Sequence, residues 1–221
     1  MRRIIGAAFV SLDGVMQAPG GPSEDPTGGF QYGGWMAGLF DEAVGRRIGR
    51  LFGGAFDLLL GRRTYDIFAA YWPFAPDEQK DIRDPFDRAA KYVVTSGGQP
   101  LPWRNSERLA GIDAVAAVKQ TAGPDLVIQG SSSLYPQLLA AGLLDELVLM
   151  IFPLVLGSGK RPFGEGMPAQ TLRMTEHEVT AAGTIIAAWQ PAGEVRTGNF
   201  AGPEASPAEL ERQRKMAEGR W

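Results

Sequence analysis

Two segments of the chain share one pattern: an apolar strand runs into glycine and small polar or basic residues, then into an amphipathic helix. One is Asp57-Leu58-Leu59-Leu60-Gly61-Arg62-Arg63-Thr64-Tyr65-Asp66. The other is Asp125-Leu126-Val127-Ile128-Gln129-Gly130-Ser131-Ser132-Ser133-Leu134-Tyr135, continued by Pro136-Gln137-Leu138-Leu139. A helix that begins where a buried strand ends aims unpaired backbone N–H groups at whatever lies above the sheet. Its dipole favours negative charge there, and glycine lets a phosphate approach the backbone closely. Two such junctions in one small domain point to a ligand with more than one phosphate, such as a dinucleotide.

The rest of the chain extends this alternation. Arg3 to Val10 is a nearly continuous apolar run, as in a central strand covered on both faces. Ser11 to Gly34, rich in Gly, Pro, Ser and Asp, is expected to be a long functional or mobile loop. Apolar residues at helical spacing (Leu39, Ala43, Ile48, Leu51) predict a helix over Trp35 to Phe52, ended by Gly53-Gly54, with a buried strand over Phe56 to Leu60. Thr64 to Ala70 reads as a short helix, Pro76 to Ala90 as partly helical with an interruption at Pro85, and Lys91 to Thr95 as a strand. Ile112 to Thr121 reads as a helix, Leu126 to Gln129 as a strand and Ser133 to Ala141 as a helix. Pro136 is harmless only in a first turn, so Ser132 or Ser133 is the expected N-cap; capping and phosphate binding are both open to this serine cluster. Leu147 to Leu156 is a long apolar strand in which Pro153 suggests a bulge or an edge position. Thr171 to Thr180 and Thr184 to Trp189 form a plausible hairpin. The predicted fold is α/β, a largely parallel sheet with helices on both faces and an antiparallel hairpin at the end. Residues 1–191 make the body; 192–221 are a Gly/Pro-rich linker and a charged helical appendage.

Composition narrows the chemistry. A net charge of -3 and a pI near 5.3 argue against a nucleic-acid binder, which usually shows a basic face. With no cysteine there is neither a disulfide nor a thiolate metal site, and a reducing cytoplasm is the simplest home. A single histidine makes a histidine-based zinc site or a Ser-His-Asp triad hard to build. Met1-Arg2-Arg3 before Ile4 to Val10 has the outline of a short signal peptide, but the run breaks at Ser11-Leu12-Asp13-Gly14, and a buried strand is the better reading. No segment approaches the roughly 20 apolar residues of a membrane span.

Four motifs in order carry a resemblance: Ser11-Leu12-Asp13-Gly14-Val15, Leu60-Gly61-Arg62-Arg63-Thr64-Tyr65, Gln129-Gly130-Ser131-Ser132-Ser133-Leu134, and Phe152-Pro153-Leu154-Val155-Leu156-Gly157-Ser158-Gly159-Lys160. Over roughly Arg2 to Gln190 the chain resembles the dihydrofolate-reductase-like family that includes the C-terminal reductase domain of the bifunctional riboflavin-biosynthesis deaminase-reductase. The resemblance implies a three-layer fold with NADPH across the C-terminal edge of its sheet, a small heterocyclic substrate (a pteridine, folate or ribosylamino-pyrimidine) and a homodimer through the late strands. It implies that Val10, Asp13, Gly14 and Val15 line the nicotinamide, and that Gly61, Arg62 and Thr64 hold phosphates. It further implies Thr95 and Ser96 on the adenosine side, and Gly130, Ser131, Ser132 and Leu134 around the pyrophosphate. Ser131 stands where dihydrofolate reductases have a second glycine. A cofactor-binding module without efficient turnover is the alternative reading.

Hydride transfer asks little beyond orientation and exclusion of water, but reduction of a C=N bond also needs a proton source. Dihydrofolate reductases supply a carboxylate from the helix after the first loop, and Asp41 lies near that stretch. Asp13 is the other acid candidate, although Asp-Gly is also ordinary turn chemistry. Arg62 or Arg63 can bond a ribose 2′-phosphate, which favours NADPH over NADH. Trp35 could stack on a heterocycle and Lys160 could attract a phosphorylated substrate; each also has an ordinary reading, as packing and as an exposed lysine.

Overall fold

The computed structural model describes residues 1–164, 167–199 and 204–220. Its central sheet has eight strands in the order β4-β3-β2-β5-β1-β6-β8-β7. In chain order these are β1 (Ile4–Ser11), β2 (Phe56–Gly61), β3 (Lys91–Val94), β4 (Ser106–Leu109), β5 (Asp125–Gln129), β6 (Glu146–Phe152), β7 (Leu172–Val179) and β8 (Ile185–Pro191). Strands β1 to β6 pair in parallel, and β8 is antiparallel to both β6 and β7. The helices are α1 (Glu42–Phe52), α2 (Arg62–Tyr71), α3 (Lys80–Arg88), α4 (Ile112–Lys119), α5 (Leu134–Ala140) and α6 (Pro207–Ala217).

Pleating explains the layers. Leu58 and Leu60 face a cluster with Phe52 of α1, Tyr65 of α2 and Phe86 of α3, whereas Leu59 faces one with Val115 of α4 and Leu134, Leu138 and Leu139 of α5. The chain moves outward from β1 through β2 to β4, then turns back to insert β5 between β2 and β1. Right-handed crossovers made in opposite directions put their helices on opposite faces, giving three layers. Tyr135 of α5 is fully buried on the central strand and donates its hydroxyl to the Ala7 carbonyl at 3.0 Å. Gly6 makes room for that ring, since a Cβ there would lie 2.6 Å from Tyr135 Cε1. At the N-terminal rim, Arg2 pairs with Asp57 and donates to the Pro124 carbonyl at 2.6 Å, while Lys119 pairs with Asp145.

The fold class matches the expectation, with local corrections. Helix α1 starts at Glu42 rather than Trp35, because Asp41 accepts the Val44 N–H at 3.0 Å as N-cap, and the stretch before it is a series of turns. Helix α3 runs through Pro85: the donor that proline lacks would have served Asp81, an exposed residue whose carbonyl can turn to water. Strand β6 ends at Phe152, so Pro153 leaves the sheet instead of bulging it. Strand β4 was not expected; Ser-Glu-Arg-Leu buries only Leu109, as a short charged edge strand can. After β8 the backbone stays near the hairpin, Ala192 N–H bonding the Thr171 carbonyl at 2.8 Å. Of the expected linker, residues 200–203 lie outside the described ones, and α6 buries none of its residues. No helix among the described residues is long and apolar enough to cross a membrane.

Gly6→Ala forces Tyr135 off its seat on β1. We expect a loss of about 1–3 kcal/mol, typical of overpacking a tight core, read as a lower urea midpoint with unchanged slope.

Candidate functional site

Because β1, β2, β3, β5 and β6 run in parallel, the segments that follow them all leave from one rim. This brings the candidate motifs to the edge where open α/β sheets bind ligands. Strands β2 and β5 are neighbours, and the two glycine junctions interlock. Gly61 N–H donates to Ser131 Oγ at 2.9 Å, and Ser131 N–H donates to Thr64 Oγ1 at 2.9 Å. Gly130 has φ 75°, and a Cβ on it would come within 3.2 Å of the Thr64 side chain. Ser131 itself has φ 55°, a left-handed conformation unusual for serine, and is buried. Ser133 is the residue before α5 but makes no side-chain cap. The N–H groups of Ser132 and Ser133 have no protein partner among the described residues. Leu134 is buried beneath this turn.

The cations beside the junction are partly engaged. Arg62 forms a two-pronged pair with Asp66 (2.9 and 2.8 Å), donates to the carbonyls of Gln99 and Pro100 at 3.1 and 3.2 Å, and lies over the Tyr65 ring. It thereby ties α2 to the turn after β3, where Thr95 accepts the Gly97 N–H on its hydroxyl and Ser96 is exposed. Arg108, missed in the sequence reading, reaches the same turn through the carbonyls of Gly97 and Gln99. Arg63 is more open, its Nε 4.0 Å from Asp25.

The loop after β1 is internally built. Val10 and Val15 are buried, and Gly14 takes φ 82° in the turn between them. Asp13 accepts from Ser11 Oγ (2.6 Å), Leu156 N–H (3.0 Å) and Gly157 N–H (2.9 Å), and pairs with Arg161 at 3.1 Å. The Ser11 hydroxyl foremost, with the backbone donors, lowers its carboxyl pKa to about 2. Asp41 is also held below its ordinary value, by the Thr180 hydroxyl and then the Val44 N–H. Trp35 donates its indole N–H to the Gln17 carbonyl at 2.8 Å and packs edge-on against Phe152, with ring centroids 5.5 Å apart. Lys160 pairs with Asp25 and donates to Thr27 Oγ1 at 2.6 Å. Asp25, Gln17 and Arg161 gave no sequence signal beyond an Asp-Pro-Thr turn and a basic neighbour to Lys160. No cluster of His, Cys, Asp and Glu among the described residues could hold a metal.

The family model of the RibD C-terminal domain matches residues 2–186. The chain belongs to the RibD C-terminal domain family. A curated relative, the uncharacterised protein YyaP of Bacillus subtilis, is 27% identical over 194 residues, covering 83% of this chain and 92% of its own. Among solved structures, a Shewanella protein named for riboflavin biosynthesis has a TM-score of 0.60 at 18% identity, over 86% of this chain and 99% of its own. A pyrimidine reductase-like protein of Corynebacterium diphtheriae has a TM-score of 0.55 at 15% identity (87% and 93% covered). The dihydrofolate reductase of Enterococcus faecalis, complexed with NADP(H) and RAB-propyl, has a TM-score of 0.54 at 13% identity (86% and 96% covered). This RibD C-terminal domain therefore has a dihydrofolate-reductase-like, reductase-type fold, as the four ordered motifs implied.

Removing the shared hydroxyl in Ser131→Ala leaves the buried Gly61 N–H without its acceptor. A loss of about 1–3 kcal/mol is expected in chemical denaturation. The folded Asp13 carboxyl titrates near 2 against an ordinary 3.8, so the unfolded chain binds the proton more tightly. Its contribution to stability is full above about pH 4 and disappears as pH falls toward 2. Asp13→Asn should therefore melt lower than the parent at neutral pH, with the gap closing in melts taken below about pH 4.

Proposed function

We propose that this chain is an NADPH-dependent reductase that acts on a small heterocycle, a pteridine, folate or ribosylamino-pyrimidine. The observation that carries the proposal is the interlock of Gly61, Thr64 and Ser131, which joins two helix-mouth junctions at the ligand-binding rim of a reductase-type sheet. The donor set suits the cofactor: two backbone N–H groups without protein partners lie at Ser132 and Ser133, and Arg62 and Arg63 supply positive charge beside them.

In this reading Gly130, Ser131, Ser132 and Leu134 surround the pyrophosphate, while Gly61, Arg62 and Thr64 hold the phosphates next to it. Thr95 and Ser96 meet the adenosine side, and Val10, Gly14 and Val15 form an apolar wall for the nicotinamide. When bound, NADPH supplies a hydride. The chain's own contribution is to orient the ring against the substrate and to exclude water, with Trp35 on the substrate side. Asp13 shapes the site beside the nicotinamide wall and Asp41 caps α1, each held below the ordinary carboxylate range by its hydrogen-bond donors, and these two carboxylates are the candidate acids of the reaction. The reaction belongs to residues 1–191, with 192–221 an appendage, in a cytoplasmic homodimer joined through the late strands. Exposed Met174 and Val179 on the edge strand β7 support that last element.

NADPH should raise the melting temperature of the protein clearly more than NADH does. Arg62→Ala should lose about tenfold in NADPH affinity by calorimetry, the scale of one charge-assisted phosphate contact, with little change for NADH. Equal, negligible shifts with both cofactors would count against the reading.

A further inference from the structure

The loop of residues 12–34 meets the segment 157–161 at two charged points and along a length of backbone. At the first point, Lys160 Nζ meets the Asp25 carboxylate and donates to Thr27 Oγ1 at 2.6 Å; the Asp25 side chain is only 8% exposed. At the second, Arg161 pairs with the Asp13 carboxylate at 3.1 Å and donates through Nε to the Asp13 carbonyl at 2.9 Å. Between them, Met16 N–H donates to the Lys160 carbonyl at 2.8 Å, and Lys160 N–H donates to Gln17 Oε1 at 3.1 Å. Gln17 in turn donates to the carbonyls of Asp25 and Thr27 at 2.9 and 2.8 Å. Gly159 is pressed against the loop, since a Cβ on it would lie 2.5 Å from Val15 Cγ1. Asp25 also faces Arg63 of α2 at 4.0 Å, so its carboxylate stands between the segment after β6 and the junction after β2.

We propose that Asp25–Lys160 and Asp13–Arg161 form a two-point clasp that fastens the loop to the segment after β6 at the candidate rim, making Lys160 and Arg161 positioning residues and not ligands of a substrate phosphate. Physical chemistry supports the assignment in two ways. Without Lys160 the buried Asp25 carboxylate keeps only the Thr27 donors and Arg63 at 4.0 Å, and loss of its close cation weakens the hold on the loop. An ammonium that already donates to a carboxylate and a hydroxyl has spent two of its three N–H groups and is neutralised before any anion arrives. The clasp itself stands apart from turnover; its positioning role rests on the reductase reading.

Hydrogen exchange read by mass spectrometry on the full chain tests the clasp in Lys160→Met and Asp25→Asn. Amides of residues 12–34 should exchange about tenfold faster or more, on the scale of a lost charged hydrogen bond. Protection of β5 and α5 should stay as in the parent, which shows that the variants are folded. NADPH affinity should fall about tenfold in Lys160→Met and return in Lys160→Arg, a recovery that a merely structural contact would not give. Unchanged loop exchange in both variants overturns the clasp. So does affinity of the parent for inorganic phosphate that Lys160→Met abolishes while loop exchange stays unchanged. If the parent binds NADPH but the variants bind it equally well, the positioning role fails alone. A parent that does not bind NADPH refutes the reductase reading, and exchange still decides the clasp.

Discussion

The interlock of Gly61, Ser131 and Thr64 is the constraint on which the rim depends. Two neighbouring parallel strands each run out into a glycine, Gly61 at the end of β2 and Gly130 just after β5, and each junction completes the other's hydrogen bonding across the gap. Ser131 adopts a left-handed conformation to do so, a strain of order 1 kcal/mol or more that a buried, doubly used residue can sustain. The same bonds have a consequence for ligand binding. Gly61 and Ser131 have given their N–H groups to the protein, so the anion recognition proposed for this rim falls to Ser132 and Ser133, one residue along, and to the arginines of α2. The departure from a second glycine at position 131 thus exchanges close backbone approach for a hydroxyl that locks the two turns together.

What could be read in the sequence divides along a physical line. Strands covered on both faces, such as Ile4–Ser11 and Phe56–Gly61, are continuous apolar runs and announce themselves. The edge strand Ser106–Leu109 does not, because an edge needs only one buried side chain and favours charge. The start of α1 was hidden for a similar reason: Leu39 fits the helical spacing, but it sits in turns before a cap at Asp41 that only tertiary packing selects. Glycine junctions are local and legible. The clasp is not, since Asp25 and Lys160 are separated by 135 positions and nothing in either neighbourhood names the other. Lys160 read as a free cation because a lysine's partner is a property of the fold, not of its flanking residues.

The electrostatics of the rim follow from these pairings. Asp66 neutralises much of Arg62, Asp25 takes Lys160, and Asp13 takes Arg161. Arg63, 58% exposed and no closer than 4.0 Å to Asp25, is the least committed of these four cations. Burial pushes the Asp25 carboxyl up, but the Lys160 ammonium and Thr27 outweigh it and keep the acid ionised. The Asp25 carboxylate is therefore shared, closely with Lys160 and loosely with Arg63 in the first turn of α2. Under the proposed function, a doubly charged phosphate there would meet one arginine oriented by Asp66 and a second that is 58% exposed, whereas a ribose hydroxyl would gain from neither. In the proposed reading, discrimination between the two nicotinamide cofactors rests on these two neighbouring side chains of one helix turn, one anchored by Asp66 and the other open to solvent.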